Sequence, residues 1–298
     1  MNDLSSQKDI ENISYNLLKG SGSLDIFPTP VDNIVAYSEL IIRNDIDVTK
    51  IHSSYRSKFP ELLSSALNKI RGLFDRKEKV IYLDLSQMET RKKYVTLHEV
   101  GHGVLPWQQH CHDLLEDDDD SLSPETIDEF EQEANYFASV TLFQHDRFYR
   151  ELSKYNLGID SAMQLSKHFG ASIHATLRRY VECSKKRCAL MVLKDPVYEN
   201  HMHCTLRNYF QSSKFSSDFG KLAFPAKLDN TWVFVQEYLS NRRFNKNGSF
   251  SMLTENGETT FNYHFFNNSY NAFVFFYPIG EEQKSRTKFI ITNNGVEI

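Results

Sequence analysis

No stretch of this sequence is long and apolar enough to span a membrane. The N-terminus, Met1-Asn2-Asp3-Leu4-Ser5-Ser6, is polar and lacks the apolar segment of a secretory signal. A cytoplasmic location is therefore expected. Cysteine is scarce, with four residues at 111, 183, 188 and 204, and in that compartment their thiols should stay reduced. None of them forms the C-x-x-C knuckle of the common structural zinc sites. Cys183, Cys188, His201, His203 and Cys204 can be read as a second metal site of unusual spacing. They can also be read as half-buried residues of two paired strands, Cys188–Leu193 and His203–Leu206, and the spacing favours the strands. Positive charge is not in excess either. The net charge of −5 disfavours nonspecific nucleic-acid binding by the whole molecule. What is left is an ordinary soluble composition, and 298 residues should hold two or three domains.

Against that background one segment carries chemistry: His98-Glu99-Val100-Gly101-His102, which reads HExxH. Residues four apart share a face of a helix, so His98 and His102 can grip one metal ion. Glu99 sits one step round, near enough to take a proton from a water beside the metal. Tyr94, Val95, Leu97, Val100, Val104 and Leu105 form an apolar stripe at helical spacing, and Pro106 ends it. The pattern is a signature of zinc hydrolases, most often peptidases. Upstream, Lys79–Leu85 is short, β-branched and aromatic and reads as a strand. The free edge of such a strand, expected over Val80–Leu85, can pair with an extended peptide.

A hydrolytic zinc needs a third protein ligand. The best candidate lies in Glu131-Gln132-Glu133-Ala134-Asn135-Tyr136-Phe137-Ala138. Here a second helix is expected, capped by Ser123, with Pro124 at its first position and Glu125 and Asp128 near its positive end. Ile127, Phe130, Ala134, Phe137, Ala138 and Leu142 make its buried face. Glu131 and Asn135 share another face, which suits Glu131 as ligand and Asn135 as a partner that steadies a histidine. Glu133 is the second choice. For an oxyanion-stabilising group, Tyr94, His110, His112, His145 and Tyr149 stay equally open.

HEVGH followed downstream by EQEANYFA resembles the ImmA/IrrE family of metallopeptidases, which shows HExxH and then an E-x-x-A-N-x-F-A helix. The resemblance spans about Val80 to Leu193. It implies that His98, His102 and Glu131 bind Zn2+ and that Glu99 is the catalytic glutamate. It also implies cleavage of a specific protein, often a DNA-binding repressor, after a stress or mobile-element signal. The chain departs from the family pattern after the motif, where Pro106-Trp107 and an acidic run replace a longer helix end.

The remaining segments fill out an α+β chain. Val31–Ile42 and Glu61–Phe74 read as helices of a mainly helical, zincin-like domain over residues 1–155. The acidic run Glu116–Asp120 reads as a solvated loop. Residues 156–228 are expected to complete that core with a helix-turn-helix-like pair, Ser161–Tyr180, and a β-hairpin. In the pair, one helix ends at Gly170 and Ser172 caps the next. His174, Arg178 and Arg179 make a basic footprint too small to favour direct DNA reading. Residues 229–298 read as an antiparallel β domain, with strands at Thr231–Tyr238, Ser249–Leu253, Thr259–Phe266, Asn271–Tyr277 and Thr287–Thr292. Without catalytic residues of its own, that domain is expected to bind a regulatory ligand or protein. The rival class is a noncatalytic DNA- or partner-binding regulator on a peptidase-like scaffold.

Overall fold

The helix bearing HEVGH starts after Met88 and stops at Val104, where extended Leu105 and then Pro106 end its ladder. It was located in a computed structural model, which describes residues 4–43, 72–111, 123–198 and 201–282. The chain divides into two compact units. The first comprises Met1–Ser153 with Ala162–Arg179, and the second Lys154–Ser161 with Tyr180–Ile298. No described helix is long and apolar enough to cross a membrane.

The first unit runs α1 (Gln7–Gly20), α2 (Val31–Tyr37), β1 (Ile41–Arg43), β2 (Gly72–Asp75), β3 (Val80–Leu83), α3 (Glu89–Val104), a helical stretch 106–111, α4 (Pro124–Leu142) and α5 (Asp146–Leu152). Two expectations change here. The helix expected over Val31–Ile42 ends at Tyr37, because Glu39 takes a positive φ of 56° and the chain then turns into β1. Of the helix expected over Glu61–Phe74, residues 61–71 lie outside the described residues, and Gly72–Phe74 is strand β2. The acidic run Glu116–Asp120 and the strand Thr287–Thr292 also fall outside them.

The small sheet has the order β1-β3-β2, with β1 parallel and β2 antiparallel to β3. β3 is therefore the central strand, and both of its edges are paired. The expected free edge over Val80–Leu85 is not there, because β2 folds back on one side as a hairpin partner and β1 pairs on the other from some forty residues upstream. α4 begins as expected: the Ser123 hydroxyl accepts from the Thr126 amide and Pro124 occupies the first turn. Phe130, Ala134, Phe137, Ala138 and Leu142 are buried along it.

α6 (Ile159–Phe169) and α7 (Ile173–Cys183) follow. Gly170 is left-handed at φ +68°, and the Ser172 hydroxyl accepts from the Ala175 amide at 3.2 Å, so the turn and cap lie where expected. In the first unit Phe169 packs against Phe27, Phe143 and Phe148.

The second unit is built on six strands, adding β4 (Ala189–Val197), β5 (His203–Gln211), β6 (Lys227–Asp229), β7 (Phe244–Thr254), β8 (Gly257–Asn267) and β9 (Ala272–Pro278), in the order β6-β5-β4-β9-β8-β7. Every pairing is antiparallel. A boundary at 228/229 would cut through β6 and separate β4 and β5 from their sheet partners, so the expected third domain is not a separate body. The strand expected over Thr231–Tyr238 is instead helix α9 (Val233–Leu239), which follows α8 (Ser213–Phe219). Its apolar residues bury at Phe234, Val235 and Tyr238, a helical spacing that covers the sheet.

Between α8, α9 and the sheet lies a core of aromatic rings, including Phe215, Phe219, Phe234, Phe250, Phe261 and Phe276. This use explains the high phenylalanine content of the C-terminal third. Phe261 is fully buried and packs its ring against those of Phe215, Phe219, Phe250 and Phe276. Phe261→Ala should therefore cost about 3–5 kcal/mol by denaturant unfolding; a loss below about 1 kcal/mol would contradict this description of the core.

Candidate metal centre

α3 and α4 approach closely because of a glycine. A Cβ on Gly101 would lie 3.1 Å from the Phe137 ring and 3.3 Å from Cα of Ala134. Two small residues, Gly101 and Ala134, thus let the backbones meet between the histidine pair and the ExxAN segment. The four-residue spacing puts His98 and His102 on the side of α3 facing α4, and Glu131 lies one turn before Ala134.

The result is a tight cluster. His98 Nε2 is 3.3 Å from one carboxylate oxygen of Glu131, and His102 Nε2 is 3.3 Å from the other. The two Nε2 atoms are 3.2 Å apart, with their rings edge to face. Donor atoms of all three residues lie within 4.8 Å of one another, a spacing able to hold a metal ion. The donor set, two imidazoles and one carboxylate, matches that of hydrolytic zinc sites with one position left for water.

Charge in this cluster is strongly coupled. Burial pushes the Glu131 carboxyl up, but hydrogen bonds and charge from His102 and His98 outweigh it and hold Glu131 well below the usual carboxylate range. Burial lowers His102, but the Glu131 hydrogen bond and the Glu99 and Glu131 charges raise it overall. Glu99 is buried, and burial raises its carboxyl despite the pull of both histidines. Its Oε1 has no hydrogen-bond partner among the described residues. An orphaned carboxylate oxygen next to three converging donors is what a site built for a cation and a water would leave. Gly72 of β2 gives Glu99 its room: a Cβ there would lie 2.7 Å from Glu99 Oε1 and 2.6 Å from Val95.

The other expected participants are placed elsewhere. Glu133 is buried and accepts from Trp107 Nε1 (2.7 Å), Gln108 Nε2 (2.8 Å) and the Ser6 hydroxyl, so it points away from the three donors. Asn135 does not hold a histidine. Its amide donates to the Glu131 carbonyl at 2.7 Å and its oxygen accepts from the Tyr94 hydroxyl at 3.2 Å. Tyr94 thereby sits beside the helix of Glu131, whereas His145 pairs with Ser14 and His110 is exposed. His112 lies outside the described residues.

The residue that does touch a histidine is Gln108, whose Oε1 is 2.8 Å from His102 Nδ1. Sequence reading missed it, because it follows the Pro106 break and reaches back from outside the motif. The alternative second metal group, Cys183, Cys188, His201, His203 and Cys204, is not brought together among the described residues. Antiparallel pairing puts Cys188 against Ser212 at one end of the β4–β5 ladder, and buried Cys204 lies towards the other. Of the basic footprint, Arg178 is exposed, while Arg179 is half-buried and bears on the ionisation of Glu11 and Tyr136.

Residues 59–180 match the family model described as the IrrE N-terminal-like domain, Peptidase_M78. Among solved structures, a Mycobacterium tuberculosis transcriptional regulator is similar with a TM-score of 0.55 at 13% identity, over 97% of this chain and 93% of that one. At that identity the likeness speaks for the fold. No curated protein matches the chain.

Two outcomes follow from the geometry. A metal and a proton compete for the same imidazole lone pair. Because His102 is raised above the ordinary 6.5, competition sets in at higher pH than for an ordinary histidine. Apparent metal affinity should be full above that raised value and fall as pH drops through it, in a chelator-competition series. Affinity that stays flat until well below 6.5 contradicts this account. Separately, Gly72→Val would drive its side chain into Val95 and Glu99 and should destabilise by about 1–3 kcal/mol in thermal unfolding; an unchanged melting temperature would mean that β2 does not press on α3.

Proposed function

We propose that this chain, whose residues 59–180 belong to the IrrE N-terminal-like domain family, is a zinc-dependent metallopeptidase of the ImmA/IrrE type. The observation that carries this reading is the convergence of His98, His102 and Glu131 beside the buried carboxyl of Glu99, whose Oε1 has no hydrogen-bond partner among the described residues. In this reading the three residues hold zinc. Bound there, zinc supplies Lewis acidity: it polarises a carbonyl and makes a water more acidic.

Glu99 then works as the proton carrier. Its burial strengthens its hold on a proton, so it can accept one from the attacking water and deliver it to the leaving amine. Glu131, held ionised by the histidines, keeps its charge for the metal rather than sharing the proton work. The motif helix lying against a small sheet supports a zincin-like description of the first unit. The substrate is a specific protein, and the family resemblance favours a DNA-binding transcriptional repressor cleaved in a stress or mobile-element response. The second unit, which holds none of the converging donors, serves as the regulatory or partner-binding part.

The test compares wild type, Glu99→Gln, His98→Ala and Glu131→Ala. Elemental analysis should give about one zinc per chain in wild type and Glu99→Gln, and little in the two ligand variants. Proteome-wide mapping of new N-termini in cells should show cleavages with wild type that disappear with Glu99→Gln. If Glu99→Gln preserves every cellular effect while Arg178 substitutions abolish it, the noncatalytic regulator replaces the enzyme.

A further inference from the structure

Gln108 is fully buried and lies in the helical stretch just after Pro106. Its side-chain amide has two ends with different partners. Nε2 donates to the Phe130 carbonyl at 3.2 Å and to Glu133 Oε2 at 2.8 Å. The Phe130 carbonyl can only accept, so the nitrogen must face it and Oε1 must face His102. An amide oxygen can only accept, so the proton of the 2.8 Å contact belongs to His102 Nδ1. Nε2 of that ring is then the atom with a lone pair to offer, and it is the atom that faces Glu131 and His98.

We propose that Gln108 is the positioning residue that selects the ring nitrogen of His102 presented to the metal, with Glu133 as the anchor that orients Gln108. The proposal rests on the metallopeptidase reading above. Glu133 suits the anchor role because it is buried and accepts from three donors in two segments, Gln108 and Trp107 of the stretch after Pro106 and Ser6 before α1. The chain of contacts runs from the start of α1 through Glu133 and Gln108 to a metal ligand. It gives the acidic residue two positions from Glu131 a task that metal ligation would forbid. A partner of this kind fixes ring orientation and makes the ligand more basic, and its removal typically weakens metal binding 10–100-fold.

The test uses the full chain loaded with zinc. Chelator competition is run on wild type, Gln108→Met and Gln108→Glu. Methionine keeps the bulk but offers Nδ1 no oxygen, so zinc affinity should fall about 10–100-fold. Glutamate returns an oxygen at that position, sharing one proton with Glu133, and should recover most of the loss. Equal losses in both variants, or none in either, overturn the proposal. A second measurement needs no variant: in the NMR spectrum of zinc-loaded wild type, His102 should coordinate through Nε2 and show an exchange-protected Nδ1 proton. Coordination through Nδ1, or an Nδ1 proton that exchanges freely, overturns it. Failure of wild type to bind zinc would sink the metallopeptidase reading itself, whereas a zinc-binding wild type matched by Gln108→Met would sink this proposal alone.

Discussion

The approach of α3 to α4 at Gly101 and Ala134 is the constraint on which the site depends. Helices ordinarily pack at about 8–10 Å between axes, and the distance depends on the side chains at the contact. With hydrogen and methyl at the crossing, Glu131 reaches both Nε2 atoms at 3.3 Å. A larger side chain at either position would push the carboxylate beyond reach of one histidine. Phe137 then fills the space beside the glycine, so the close contact is also part of the hydrophobic core. Packing and chemistry are set by the same few atoms.

Electrostatics gives that contact its purpose. Two carboxylates and two imidazoles crowd a small, largely buried volume, where burial and neighbouring charge together set the ionisation of Glu99, His102 and Glu131. Glu131 is secured by two donors, while Glu99 has one oxygen with no donor among the described residues. An anion left in that condition is costly unless a cation or a polarised water stands beside it. The same crowding explains the outer layer. Glu133, buried two residues away, is satisfied by three donors and so adds no loose charge to the cluster. Gln108 links the two layers without contributing a charge of its own.

The core of this site was legible in the sequence because it is written in helical spacing. His98 and His102 are four apart, and Glu131 is preferred over Glu133 because it shares a face with Asn135 and because the ImmA/IrrE resemblance aligns it with that family's glutamate. Where contacts depend on chain segments meeting from afar, the sequence was silent or misleading. Asn135 shares a face with Glu131, yet its side chain turns to its own helix and to Tyr94. Gln108 could not be found by spacing, since it reaches back across the Pro106 break. β3 looked like an edge, but strands from either side cover it. α9 looked like a strand because β-branched and aromatic residues dominate it, and only its packing on the sheet reveals the helical period. The antiparallel C-terminal strands, by contrast, were largely legible from short aromatic and β-branched runs and from turns such as Asn256-Gly257. Their union with β4 and β5 was not, because that pairing joins residues some eighty positions apart.

X-ray absorption at the zinc edge of the loaded protein tests the central claim most directly, that two helices close one metal site from two imidazoles and a carboxylate. The account predicts a shell of nitrogen and oxygen at about 2.0–2.1 Å with imidazole outer-shell scattering and no sulfur. A sulfur shell at about 2.3 Å would place the metal on the cysteines instead and contradict the account.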